Sequence, residues 1–166
     1  VSASDGRGKI VSRDRVAGRV AELRAAGRTV AMANGLFDLL HVGHLRYLEG
    51  AAAEADLLLV AVNSDGSARR LKGPSRPITT EAERAELLAG FACVDLVTVF
   101  DEDSVEPLLR EVRPDVHCKG TDYTPDTVPE APVARELGIR VAIVGDPKDH
   151  ATSEIVKRLE GGERAR

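Results

Sequence analysis

The stretch "LLLVAVN", Leu57–Asn63, is apolar up to its last residue and does not alternate with polar positions. A strand with one wet face alternates, so an unbroken apolar run of this length reads as a strand covered on both sides. Working outward, "TVAMA" (Thr29–Ala33), "DLVTVF" (Asp95–Phe100), "DVHCK" (Asp115–Lys119) and "IRVAIV" (Ile139–Val144) are shorter segments of the same kind. Between them lie stretches of helical spacing. Val16, Val20 and Leu23 follow a candidate cap at Ser12 and precede Gly27. Leu45, Leu48, Ala52 and Ala55 recur within Gly43–Ala55. Thr80 with Glu83 forms a capping box before a helix closed by Gly90. Helices are also expected over Ser104–Val112, Pro132–Leu137 with Gly138 as its stop, and Thr152–Leu159. "SDGSARRLKGPSRPI", 64–78, reads as a loop because Ser, Gly and Pro punctuate it. Strands alternating with helices predict an α/β fold: a single Rossmann-like domain, with about five parallel strands and helices on both faces. Residues 1–11 are expected to be a flexible tail, 12–160 the domain and 161–166 a charged tail.

Composition narrows the function classes. The chain has 166 residues, 43% hydrophobic and 30% charged, with a net charge of −4. Aromatics make up 3% and Trp is absent, which argues against stacking platforms for nucleic acid. No apolar run approaches the roughly 20 residues of a membrane span. "VSASDGRGK" lacks the hydrophobic core of a signal peptide, and Cys93 and Cys118 sit in apolar surroundings that suit reduced thiols. A cytoplasmic protein without membrane or nucleic-acid partners is expected.

In a parallel sheet, ligands collect beyond the carboxyl ends of the strands, where strand order reverses. The unusual residues gather at those ends. "ANGLFDLLHVGHLRYL", Ala33–Leu48, places His41 and His44 three apart at a helix start, flanked by Gly35 and Gly43. A zinc site would want a third protein ligand, and neither a Cys pair nor a His-Glu motif supplies one. Core packing explains one histidine more readily than two on one face. A phosphate site uses every feature: unpaired N–H groups at a helix start, glycines that let the backbone approach, and imidazoles that donate as charge develops. The helix dipole there disfavours a cationic ring, so neutral donors are expected.

"GLFDLLHVGH", Gly35–His44, resembles the G-x-F-D-x-x-H-x-G-H signature of the cytidylyltransferase-like nucleotidyltransferases. Gly35, Phe37, Asp38, His41, Gly43 and His44 all fall at their places. "VNSD", "RPITTEAER", "CKGTDY" and "ATSEIVKRL" look most like the heptose-1-phosphate adenylyltransferase domain of ADP-heptose synthase. The resemblance runs from about Thr29 to Leu159. It implies nucleotidyl transfer from ATP or CTP to a phosphorylated sugar or polyol, with Mg2+ carried by the triphosphate and a homodimer as the assembly. His41, His44, Lys72 and Lys119 would be the catalytic residues. Asn34, Gly35, Phe37, Gly43, Gly120, Thr152 and Ser153 would bind nucleotide and phosphate. Asp38, Asn63, Asp65, Arg76, Asp122 and Tyr123 would shape the acceptor side, with Asp38 also fixing the turn before the histidines.

Some of these have a plainer alternative: a solvated turn for Lys72 and capping alone for Thr152 and Ser153. Arg84, a further and weaker candidate beside Arg76, could equally form a surface ion pair with Glu81 or Glu83. His117 and His150 are read as ordinary histidines. The family has a second glycine where this chain has Thr121, and a hydroxyl residue where it has Ala151. The R-T-E-G-I-S-T signature of glycerol-3-phosphate cytidylyltransferases is absent. A non-catalytic nucleotide-binding regulator remains the alternative from another class. Nothing in these 166 residues reads as a kinase, so another protein is expected to make the acceptor phosphate.

Overall fold

The computed structural model describes residues 6–146 and 156–157. Five strands, β1 (Val30–Gly35), β2 (Leu57–Asn63), β3 (Leu96–Phe100), β4 (Val116–Gly120) and β5 (Arg140–Val144), form one sheet in the order β3-β2-β1-β4-β5. Every pairing is parallel. β2 shows why its sequence does not alternate. Leu58, Val60 and Val62 enter one core with Leu48 and Ala51 of α2 (Val42–Ala52) and Ala85 and Leu88 of α4 (Glu81–Ala89). Leu59 and Ala61 enter the other with Val16 and Val20 of α1 (Val16–Ala25) and Leu108 and Leu109 of α5 (Glu106–Val112). α6 (Ala131–Leu137) adds Ala134 to this second core, and the αL conformation of Gly138 ends that helix as expected.

Three aspartates set the register at the amino end of the sheet. Asp56, Asp95 and Asp115 each stand one residue before a strand, and their carboxylates accept backbone N–H bonds from Thr29, Leu58 and Val30 respectively, each at 2.8 Å. Each such bond pins one strand's start to its neighbour.

Two expectations are corrected. The stretch 64–78 is not all loop: it opens with α3 (Asp65–Lys72). Ser64 Oγ accepts from Ser67 N–H at 2.9 Å, Asp65 sits in the first turn, and Arg69, Arg70 and Lys72 sit in the last, matching the helix dipole. Gly73, at φ +98°, ends the helix. The helix escapes notice because it buries only Ser67 and Ala68, which is too little for an apolar stripe. The first helix begins at Val16, and Ser12 serves it through its backbone carbonyl rather than its hydroxyl.

The expected tail 1–11 lies against the sheet over its described part. Gly6–Lys9 forms a 3-10 turn, Ile10 bridges Val97, and Val11 N–H donates to Val97 O at 2.8 Å. This segment covers part of the β3 edge. The helix expected over 152–159 lies outside the described residues except for 156 and 157, which are helical.

Candidate active site

Strand order reverses between β1 and β4, and a cavity of about 410 Å³ opens beyond their carboxyl ends. Its wall begins at the end of β1 with Asn34 and Gly35. The chain then turns through Phe37, whose φ of +50° is unusual for a side-chain-bearing residue. Gly35 accommodates that turn, since a Cβ there would stand 3.3 Å from the Phe37 ring.

His41 is the N-cap of α2. Its Nδ1 accepts from Gly43 N–H at 3.1 Å, and His44 Nδ1 accepts from His41 N–H at 3.4 Å. The two imidazoles thus form a reciprocal capping box, with ring centroids 4.0 Å apart. An Nδ1 that accepts carries no proton, so each neutral ring holds its hydrogen on Nε2. Burial, and then the neighbouring His41, push the His44 pKa down to about 4. The neutral Nε2–H donor expected from the helix dipole is thereby built into the cap. One expectation changes: the Gly43 N–H is taken by His41 and is not an open phosphate donor.

Nine of the expected site residues meet at the cavity: Asn34, Gly35, Phe37, His44, Asn63, Lys72, Lys119, Gly120 and Tyr123. Lys119 is nearly buried, with Nζ 3.5 Å from Glu130 Oε2 and 5.1 Å from the Tyr123 ring centroid. Lys72 reaches the wall from the last turn of α3.

The other expected residues do not line it. His41 holds His44 from behind. Asp38 is buried and accepts from Ile78 and Thr79 N–H at 2.7 and 3.1 Å, while Arg76 lies 3.2 Å from its other oxygen. Asp38 and Arg76 therefore tie the histidine turn to the segment before α4, which matches the turn-fixing role and leaves neither facing the cavity. Asp65 pairs with Arg84 at 2.8 Å and borders a different hollow, and Asp122 is exposed away from the wall. Thr152, Ser153, His150 and Ala151 lie outside the described residues.

Arg84 departs most from its expected place. It is wholly buried, and its guanidinium donates to Leu36 O, to Thr79 O at 3.1 Å and to Asp65. Glu83 is occupied with Thr80, and Glu81 accepts from Asp65 N–H, so neither surface pair forms. Arg84 clamps the glycine turn from below.

Sequence reasoning missed Tyr47, Glu130 and Asp103, which also border the cavity. Tyr47 OH donates to Cys118 O at 2.8 Å, and burial raises its pKa. Its helical spacing from His44 was the one available signal. Glu130 and Asp103 arrive from loops, where no periodicity marks them. Cys118 is buried, Cys93 is half-buried, and both are free thiols.

A doubly wound parallel sheet with a cavity at its switch point, where Asn34, His44, Lys72 and Lys119 stand beside Asp103 and Glu130, has the architecture of an α/β nucleotide-binding domain. The chain belongs to the cytidylyltransferase-like family, which matches it over residues 32–158. It is 48% identical over 136 residues to the bifunctional protein HldE of Syntrophotalea carbinolica, covering 82% of this chain and 28% of that protein. With the bifunctional protein HldE of Acidiphilium cryptum it shares 45% over 157 residues, 95% of this chain and 32% of the relative. The chain thus spans about a third of the length of these relatives. Among solved structures it resembles the lipopolysaccharide core biosynthesis protein of Thermoplasma volcanium, with a TM-score of 0.62 and 28% identity over 74% of this chain and all of that one. Among the described residues, no helix is long and apolar enough to cross a membrane.

Proposed function

We propose that the chain is a nucleotidyltransferase that joins the adenylyl group of ATP to a sugar phosphate, with D-glycero-D-manno-heptose 1-phosphate as the acceptor. An oxygen of the acceptor phosphate attacks the α-phosphorus of ATP. The bond to the α–β bridging oxygen breaks, and its electron pair leaves with pyrophosphate. No protein nucleophile is required, so the side chains contribute position and charge. His44, steadied by His41, donates from Nε2 to phosphate oxygens as charge builds. Lys72 and Lys119 offset the negative charge of two substrates brought together. Asn34, Asn63, Gly35 and Gly120 complete the wall, and Thr152 and Ser153 are proposed to hold the outer phosphates. Magnesium is taken to enter on the triphosphate, where phosphate oxygens and water hold it and it screens their repulsion. Among the described residues, no group of three or more His, Cys, Asp or Glu side chains is placed to hold a metal ion.

The observation that carries this reading is the histidine capping box, in which both Nδ1 atoms accept backbone N–H bonds, so that His44 keeps its proton on Nε2 at the cavity wall. Simple nucleotide binding needs no such device. Supporting it are the family membership and the relatives named HldE. The same reading takes residues 12–160 as the catalytic unit and the enzyme as a cytoplasmic homodimer, the latter testable by light scattering. The deciding experiment offers ATP or CTP with heptose 1-phosphate, glycerol 3-phosphate and other phosphorylated sugars, and reads product mass. ADP-heptose supports the proposal. A CDP-polyol moves the chain to the glycerol-phosphate branch. ATP binding without pyrophosphate from any acceptor makes it a regulator.

A further inference from the structure

His117 has no part in the mechanism above, yet it is bound to the cavity wall. It lies on β4 opposite Met32 of β1 and is fully buried. Its Nε2 stands 3.1 Å from Oδ1 of Asn34, two residues further along β1. Its Nδ1 is buried without a hydrogen-bond partner. Such an atom costs free energy, and an aliphatic residue like the neighbouring Val116 would fill the space without it. The ring is therefore kept for what Nε2 does.

The orphaned Nδ1 also settles the tautomer. A proton on Nδ1 would bury an N–H with no acceptor and require Asn34 to turn its NH2 toward the ring. A proton on Nε2 leaves only an unfilled lone pair and donates to Oδ1. Burial, and then Lys119 on the same strand, hold the His117 pKa near 3, so the ring stays neutral. With Oδ1 held by His117, the Asn34 Nδ2 has no acceptor among the described residues, and Asn34 lines the cavity.

We infer that His117 is a positioning residue: it locks the Asn34 carboxamide so that Nδ2 is presented to the cavity as a hydrogen-bond donor for a phosphoryl oxygen of the bound nucleoside triphosphate. The choice of ligand rests on the nucleotidyl-transfer reading. His44 Nε2–H, Lys72 and Lys119 on the same wall are donors of the kind a polyphosphate requires, and the Glu130 carboxylate there is paired with Lys119 at 3.5 Å. A pre-fixed amide adds a donor without ordering cost at binding.

Two measurements test this. The 15N shifts of the His117 ring, in substrate-free protein at neutral pH, are expected to show the Nε2–H tautomer. An Nδ1–H ring overturns the proposal whatever the enzyme does. The second is a double-mutant cycle of Asn34→Ala and His117→Leu, read as KM for ATP in pyrophosphate release with heptose 1-phosphate. Each single variant is expected to raise KM about tenfold, as for a lost hydrogen bond to a charged group, and the double variant no further than Asn34→Ala alone. His117→Gln, which keeps a donor, is expected to recover most of the loss. Multiplying losses, or a wild-type KM in His117→Leu, overturns the proposal. If the wild type releases no pyrophosphate, the transfer reading fails separately, and the same cycle is read on ATP binding by calorimetry, where additive losses are again fatal. Absence of ATP binding by the wild type overturns both.

Discussion

Replacing Arg84 with methionine removes the clamp beneath the histidine turn while keeping a side chain of similar length. The guanidinium is wholly buried and serves three acceptors: Leu36 O, Thr79 O and the Asp65 carboxylate. Asp65 is 24% exposed and regains some hydration when its partner goes, while the carbonyls are left under-satisfied. Breaking a buried pair of this kind costs about 3–5 kcal/mol. At about 2–4 °C per kcal/mol for a domain of this size, the melting temperature should fall by roughly 6–20 °C. The assay is a thermal melt by calorimetry or circular dichroism, with urea titration to check that the m-value holds. Because Leu36 lies between Gly35 and Phe37 of the turn, KM for ATP should rise as well. Arg84→Lys should recover little, since one ammonium cannot reproduce the fork that meets three acceptors. A methionine variant that melts within about 2 °C of wild type would refute the clamp.

Three further outcomes are expected. His44→Ala should lower turnover by roughly 10²–10³ with the fold intact; unchanged turnover removes the phosphate role. Both His44 and His117 have folded pKa values below the usual 6.5, at about 4 and about 3. As pH falls below about 6.5 the unfolded chain takes up protons that the native rings refuse, so stability is lost progressively toward pH 4 and 3. Urea midpoints measured against pH should show this decline, and His117→Leu should flatten it; a pH-independent midpoint contradicts the buried neutral rings. Lys119→Ala should weaken substrate binding and turnover together, and a purely thermal loss would make Lys119 structural.

The sequence announces its sheet because burial on both faces leaves an unbroken apolar run, as in Leu57–Asn63. The histidine turn is legible for a different reason: its residues sit close together in the chain, so their spacing carries the geometry. α3 was hidden because its stability comes from a Ser64 cap and end charges, not from an apolar stripe. The burial of Arg84 is not legible in the sequence, because a charged residue on a helix is ordinarily solvated and only the tertiary fold brings Leu36 O and Asp65 to it. The same holds for Asp38 and Arg76, whose pairing joins segments 38 residues apart. Glu130 reaches the cavity through packing that no local pattern encodes, and the aspartate ties at the strand starts are likewise long-range.

The proposed role of His44 is to turn a neutral Nε2–H donor, fixed by the capping box it shares with His41, onto the phosphates of a triphosphate. It is tested most directly by combining ATP, heptose 1-phosphate and the purified chain and following pyrophosphate and product mass for wild type and His44→Ala. The wild type is expected to give ADP-heptose and stoichiometric pyrophosphate, and the variant to lose about two to three orders of magnitude in rate with its fold intact. Equal rates from both proteins, or no nucleotidyl product from the wild type with any acceptor, would contradict it.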